Sequence, residues 1–212
     1  MTPRAMDAPP ATFRVGDVWR GTWMGPSLVR RGGGTVHYVG PAPAALPAGV
    51  IEIPGVLLPG FTDHHVHLQL LAPDARTALA AGGLSRVVDL GGDPDALAAL
   101  AEPDAFGVAV EFAGAFLTAP GGYPSDRDWA PAGSVREVAS ADDAELAVAE
   151  LLAAGASRIK VALNAEAGPV WSDVVLADVV AEARAVDLPV VAHVEGLGQA
   201  ARAIAAGADV LA

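Results

Sequence analysis

The sequence predicts an α/β protein, with a small β unit over residues 12–58 followed by a parallel sheet with helices over residues 59–212. Two observations support this prediction. Before position 59 the apolar segments are short and are interrupted by glycine and proline, as in small β units. After it, apolar strand-like segments alternate with alanine-rich helical segments, which is typical of right-handed βαβ units. Residues 1–11, rich in proline and alanine, are predicted to be disordered.

The β unit contains a predicted hairpin, because RRGGGTVHYVG (30–40) places a glycine-rich turn between two strand-like segments. Later strands are predicted where the sequence is apolar on both faces, as in a buried parallel sheet. Counting the stretch after Gly60, we expect six strands. The five others are predicted at 86–92, 107–118, 157–164, 188–196 and 208–212.

Helices are predicted between these strands, over residues 140–155, 172–187 and 198–207. In the first of them Ser140 is placed to cap the amino terminus, acidic residues follow in the first turn, and Gly155 ends the helix. The connection from 117 to 139 is long for a loop between a strand and a helix, and long ordered loops are usually functional.

Composition narrows the function classes. The chain has no cysteine, which excludes disulfides, thiolate metal sites and cysteine nucleophiles. Its net charge of −12 argues against a nucleic acid or an anionic membrane as partner. The expected partner is a small-molecule substrate. No apolar run is long enough to span a membrane, and the first residues lack the apolar core of a secretory signal. A cytoplasmic protein is expected, and homo-oligomerisation is left open.

The stretch PGFTDHHVHL (59–68) holds three of the five histidines. Residues two apart in a strand point to the same face, so Asp63, His65 and His67 share one face and His64 lies on the other. Two imidazoles on one face can bind one divalent ion such as zinc, although His-x-His alone is a weak motif.

Two further groups lie on later predicted strands. Lys160, in RIKVAL, is the single lysine among 13 basic residues, and His193 is near the end of VVAHVEG. Parallel α/β folds place their chemistry at the carboxyl ends of the strands, so we expect these side chains to converge with the His-x-His pair. Asp89 also ends a strand, where it either orients a ligand histidine or caps the following turn.

Together these residues resemble the amidohydrolase superfamily of metal-dependent hydrolases. VLLPGFTDHHVHL is similar to the first barrel strand of that family, RIKVAL to its fourth and VVAHVEG to its fifth. The resemblance implies a partial (β/α)8, or TIM, barrel of about six strands over residues 59–212, preceded by half of a small β-sandwich domain. GAFLTAPGGYP is similar to a loop of the imidazolonepropionase-like and Xaa-Pro dipeptidase subgroup, in which histidine is expected where this chain has Tyr123.

The resemblance also implies the chemistry. One or two divalent metals, zinc above all, are bound by His65, His67, Lys160 and His193, and carbon dioxide carbamylates the lysine. A metal-activated hydroxide then attacks an amide, cyclic amide or peptide carbon. Asp63 and Asp89 are expected to support the ligands, and Tyr123 to contact substrate. A further histidine and the general-base aspartate are expected beyond residue 212, so the chain is predicted to be an amino-terminal fragment with negligible activity and poor solubility.

Two other functions are kept open. A Schiff-base lyase would use Lys160 as its nucleophile, although this leaves His65 and His67 unexplained. A non-catalytic, barrel-like binding module would need no metal.

Overall fold

A computed structural model of the protein describes residues 9–33, 35–72, 74–103 and 107–212. The chain divides into two compact units, one ending at Phe61 and one that begins at Thr62. Residues 1–8 of the predicted disordered segment lie outside the described residues, and Ala11, predicted to belong to that segment, begins the first strand. Within the described ranges, no helix is long and apolar enough to cross a membrane.

The first unit is one four-stranded sheet, with strand order β3-β2-β1-β4. The predicted hairpin is confirmed, because β2 and β3 pair antiparallel on either side of the glycine-rich turn. β1 pairs antiparallel with β2 and parallel with β4. Val15, Val18 and Val29 form its small core. The strands are β1 (Ala11–Val18), β2 (Ser27–Gly32), β3 (Thr35–Pro41) and β4 (Ile51–Leu57).

The second unit contains two sheets, with strand orders β5-β6-β7 and β12-β11-β10-β8-β9. The parallel pairing predicted from the βαβ pattern is confirmed for the pairs β6–β7, β8–β9, β8–β10, β10–β11 and β11–β12. The partial barrel stays a prediction. The strands are β5 (Phe61–Val66), β6 (Leu84–Asp89), β7 (Ala109–Phe112), β8 (Phe116–Thr118), β9 (Val135–Glu137), β10 (Ile159–Asn164), β11 (Val190–Glu195) and β12 (Val210–Leu211).

Helices connect these strands, and α3, α4 and α5 pack in the same core as the larger sheet. Ser140 caps α3 as predicted, because its hydroxyl accepts a hydrogen bond from the Asp143 N–H at 3.3 Å. Leu151 of α3 and Leu176 of α4 pack with Ile159 in the main core. The helices are α1 (Ala75–Ala81), α2 (Pro94–Ala101), α3 (Ala141–Ala153), α4 (Asp173–Ala185) and α5 (Gln199–Ala206), with a short 3-10 helix at Leu68–Leu70.

The single strand predicted over residues 107–118 is wrong, because the chain changes sheet in the middle of it. β7 pairs with β6, whereas β8 pairs with β9 and β10. The turn lies at Gly114, whose φ of +76° strains any residue with a side chain. A Cβ there would also lie 2.7 Å from the Leu151 side chain. The predicted long connection that follows contains a strand of its own, β9.

Candidate active site

Lys160 and His193 lie on one face of the larger sheet. In the parallel register of β10 and β11, Lys160 is opposite Val191 and Ala162 is opposite His193, so both functional side chains point the same way. Lys160 is 1% exposed, and its Nζ is without a hydrogen-bond partner among the described residues. Burial lowers its pKa to about 8, since a charged ammonium is disfavoured away from water.

His65 and His67 lie together on β5 and the residue that follows it, with ring centroids 5.3 Å apart. His67 Nδ1 is 3.0 Å from the carbonyl oxygen of Gly91. Because a carbonyl only accepts, Nδ1 must carry the proton and Nε2 keeps its lone pair for a ligand. The Asp63 carboxylate accepts a hydrogen bond from the His65 backbone N–H at 3.0 Å, so it contacts the backbone of a predicted ligand.

Asp89 is fully buried and binds the backbone of Leu68, which follows His67, and of Gly91, whose carbonyl contacts the His67 ring. Its carboxylate accepts hydrogen bonds from Leu68 N–H at 2.6 Å and from Gly91 N–H at 2.9 Å. Burial raises its pKa, and these two bonds oppose that shift. The sequence left open whether Asp89 orients a histidine or caps a turn. Asp89 does both, because the turn that it caps contains Gly91, whose carbonyl accepts the hydrogen bond from the His67 ring.

Charges on other predicted ligands shift the pKa of His65 and the pKa of His193. The pKa of His65 is lowered mainly by burial, and further by the charges of Lys160, His67 and His193, while Asp63 opposes this. Burial followed by Lys160 likewise lowers the pKa of His193. Both shifts favour neutral imidazole, which is the form that binds metal ions.

Tyr123 covers His193 from the long connection after β8. Its ring stacks on the imidazole, with centroids 5.2 Å apart and planes inclined by 26°. Trp129 lies 6.0 Å from the same ring, and the Arg127 guanidinium lies 5.7 Å from its centroid. Burial raises the pKa of the Tyr123 hydroxyl. Tyr123 is therefore placed next to a predicted ligand, where a substrate-contacting residue is expected.

Sequence reasoning missed two polar residues beside His193. Asn164 ends β10 and Glu195 ends β11, and the Asn164 Nδ2 donates a hydrogen bond to Glu195 Oε2 at 2.6 Å. Strand alternation, counted onwards from Lys160 and His193, could have found them. Asn164 lies four residues after the lysine, and Glu195 two residues after the histidine.

The fit of the predicted ligands to a divalent metal depends on Lys160. Among the described residues, no group of three or more His, Asp or Glu side chains is arranged to hold an ion. The buried and unpartnered Nζ of Lys160 is the unusual feature, because buried polar atoms are nearly always hydrogen-bonded. A buried amine without a hydrogen-bond partner, in a site with neutral imidazoles, fits a metal site that is completed when a further group is attached to that amine.

Known structures share this fold. No family profile matches the chain, and no curated protein sequence is similar to it. A prolidase complexed with N-methylphosphonate-L-proline is 23% identical, with a TM-score of 0.73 over 96% of this chain and 60% of that one. An ochratoxinase from A. niger is 21% identical, with a TM-score of 0.71 over 95% and 59%. A dihydroorotase is 17% identical, with a TM-score of 0.59 over 91% and 53%.

These neighbours are amidohydrolase-family enzymes, and the chain matches their fold along nearly all of its own length. It spans about 60% of the length of the prolidase structure. At these identities the likeness establishes the fold.

Proposed function

We propose that this chain carries the metal-binding part of an amidohydrolase that cleaves a C–N bond in an amide, cyclic amide or peptide. The amidohydrolase-like fold supports the class of reaction. The substrate, the metal and the activity of the 212-residue chain itself belong to the proposal. A small-molecule substrate and a cytoplasmic location likewise remain predictions.

The observation that carries the proposal is the Lys160 amine. It is buried, it is without a hydrogen-bond partner in the described part of the chain, and its pKa is lowered to about 8. A neutral amine reacts with carbon dioxide to form a carbamate and release one proton, whereas arginine does not lose its proton in proteins. Carbamylation would convert the orphaned amine into an anionic oxygen donor.

His65, His67, the carbamylated Lys160 and His193 would hold one or two divalent ions, with zinc the preferred metal for imidazole and carboxylate-like ligands. When bound, such an ion lowers the pKa of a water molecule towards neutrality and polarises the scissile carbonyl. The chain's own residues prepare the site for it. Asp89 and Gly91 fix the ring of His67 with Nε2 free.

The test is to purify the chain with ¹³C-bicarbonate and zinc, and to measure metal content by mass spectrometry and the carbamate carbon by NMR. We expect bound zinc and one carbamate signal per chain. Lys160→Met should lose the carbamate signal and most of the metal. His37→Ala, which removes an exposed histidine of the first unit, is the matched control and should keep both.

Two other results would point to the rival functions. Borohydride trapping of a carbonyl substrate on Lys160, without bound metal, would establish a Schiff-base lyase. Absence of zinc, manganese and nickel together with no trapped substrate would favour a non-catalytic binding module. The expectation of negligible amide turnover is tested on the same zinc-loaded sample, and measurable zinc-dependent turnover would contradict it.

A further inference from the structure

We infer that Glu195 is a substrate-recognition residue of this site and that it binds a positively charged group, an ammonium or a guanidinium, on the amide that is cleaved. The inference rests on the proposed function and adds the charge of the substrate to it.

The position of Glu195 supports a role in binding. It ends β11, two residues after His193, and therefore lies on the same face of the strand. Carboxyl ends of parallel strands are where α/β folds bind their ligands. The side chain is 55% exposed, so its carboxylate is accessible to a small molecule.

The carboxylate is held in place by a residue that is itself fixed. Asn164, 4% exposed, donates from Nδ2 to Glu195 Oε2 at 2.6 Å. The Oδ1 atom of Asn164 accepts hydrogen bonds from the N–H groups of Glu166 and Ala167 at 3.1 Å and 3.0 Å. These bonds to Oδ1 determine which way the amide faces. Glu195 is thus pre-organised, which lowers the entropy lost when a ligand binds.

In the described part of the chain, neither lysine nor arginine pairs with this charge. Within the described ranges, the only ion-pair contact of Glu195 is His193 Nε2 at 3.7 Å, which is too long for a hydrogen bond. Glu111, by contrast, pairs with Arg86 at 2.8 Å and with Arg158 at 2.6 Å. An exposed, oriented carboxylate without a protein cation is suited to a cation supplied by the ligand.

The surroundings favour a cation over other hydrogen-bond donors. Glu195 Oε2 lies 3.7 Å from His193 Nε2, and the Tyr123 ring stacks on that imidazole, so the carboxylate lies near an aromatic surface. Trp129, 41% exposed, extends the aromatic surface beyond Tyr123. Aromatic faces attract ammonium and guanidinium groups. The Arg127 guanidinium near this ring contacts Asp126 at 3.2 Å and donates to the Ala167 carbonyl at 3.2 Å, and within the described ranges it forms no ion pair with Glu195.

Two matched pairs of probes distinguish the source of the cation. Alanyl-alanine and N-acetyl-alanyl-alanine differ in the α-ammonium group. N-acetyl-lysyl-alanine and N-acetyl-norleucyl-alanine differ in a side-chain ammonium. Binding of each is measured by calorimetry on the metal-free 212-residue chain and on Glu195→Gln, which keeps the shape and an acceptor for Asn164. Glu145→Gln removes the same charge from the exposed face of α3 and is the control.

We expect the cationic member of at least one pair to bind the unaltered chain at least about tenfold more tightly, in line with a charged hydrogen bond. The preference should disappear in Glu195→Gln and persist in Glu145→Gln. Equal binding within both pairs, no binding of either cationic probe, or a preference unchanged in Glu195→Gln would overturn the inference.

Zinc content separates this inference from the proposed function. Glu195→Gln should bind as much zinc as the unaltered chain. Loss of zinc in that variant would make Glu195 a metal ligand and would also overturn the inference. Absence of zinc from both proteins counts against the proposed function alone, since the probe measurements are made without metal.

Discussion

The two halves of the candidate site are held in different ways. Lys160 lies on β10, in which all six residues are buried, and β10 is paired on both sides in the larger sheet. His65 lies on β5, where no residue is fully buried, and its neighbour His67 follows the end of that strand.

The difference shows two physical means of positioning a ligand. Burial and strand pairing fix Lys160, and the same burial lowers its pKa. His67 is fixed instead by hydrogen bonds, through the Gly91 carbonyl and the Asp89 carboxylate. Changes to the first half should therefore act through desolvation, and changes to the second through lost hydrogen bonds.

The largest expected effect concerns the pH dependence of stability caused by Lys160. Its pKa is about 8 in the folded chain, against an ordinary 10.5, so between these values the unfolded chain binds more protons. The contribution of Lys160 to the free energy of unfolding therefore rises with pH across this window. The destabilisation caused by its desolvated ammonium is fully present below pH 8. The shift corresponds to roughly 3 kcal/mol.

The measurement compares the free energy of unfolding of the unaltered chain and Lys160→Met in urea, with EDTA present and bicarbonate absent. The methionine variant should be the more stable below pH 8, and the difference should shrink towards pH 10.5. Other titrating groups cancel in this comparison. A difference that stays constant over the window would show that Lys160 is not desolvated. Ile159→Met, a change on the opposite face of the same strand, should show no such pH dependence.

The hydrogen-bonded half is tested by Asp89→Asn. The amide keeps one acceptor oxygen but turns an N–H donor towards the other backbone N–H, so one buried donor loses its partner. We expect about 2 kcal/mol of lost stability. Zinc affinity should fall about tenfold, since the support of a ligand histidine is weakened. Urea unfolding and zinc titration against a competing chelator measure the two effects.

Asp95→Asn is the control for that change, because Asp95 is exposed in the first turn of α2. It should alter stability by less than about 0.5 kcal/mol. If Asp89→Asn behaved like this control, the buried hydrogen bonds of Asp89 would not be what holds His67.

A smaller effect is expected from Tyr123→Leu, which removes the ring stacked on His193. The loss should be about 1 kcal/mol, as for other stacked ring pairs. Tyr123→Phe keeps the ring and should change stability by clearly less in the same thermal unfolding assay. Equal losses in the two variants would assign the effect to the hydroxyl instead of the stacking.

The smallest effect is electrostatic. Burial and the neighbouring cations lower the pKa of His65, and the Asp63 carboxylate opposes them. Asp63→Asn removes the anion that favours imidazolium, so it should lower this pKa further. NMR titration of the His65 ring protons measures the shift. Asp178→Asn, on the outer helix α4, should leave the titration unchanged. A raised pKa in Asp63→Asn would contradict the assignment.

Features that depend on local pattern were predictable from the sequence alone. Strand alternation predicted one shared face for Asp63, His65 and His67, because that periodicity is a property of the extended backbone. The cap at Ser140 was also predictable, since it depends on residues within one turn of each other.

Features that depend on residues far apart in the chain could not be predicted in this way. The apolar run 107–118 predicts one strand. Its division at Gly114 arises because β7 joins the sheet of β6 whereas β8 joins the sheet of β10. The proton on His67 is assigned by a carbonyl 24 residues away, and Glu195 is oriented by an amide 31 residues away. Such contacts leave no local pattern in the sequence, because they form only when separate strands bring their ends together.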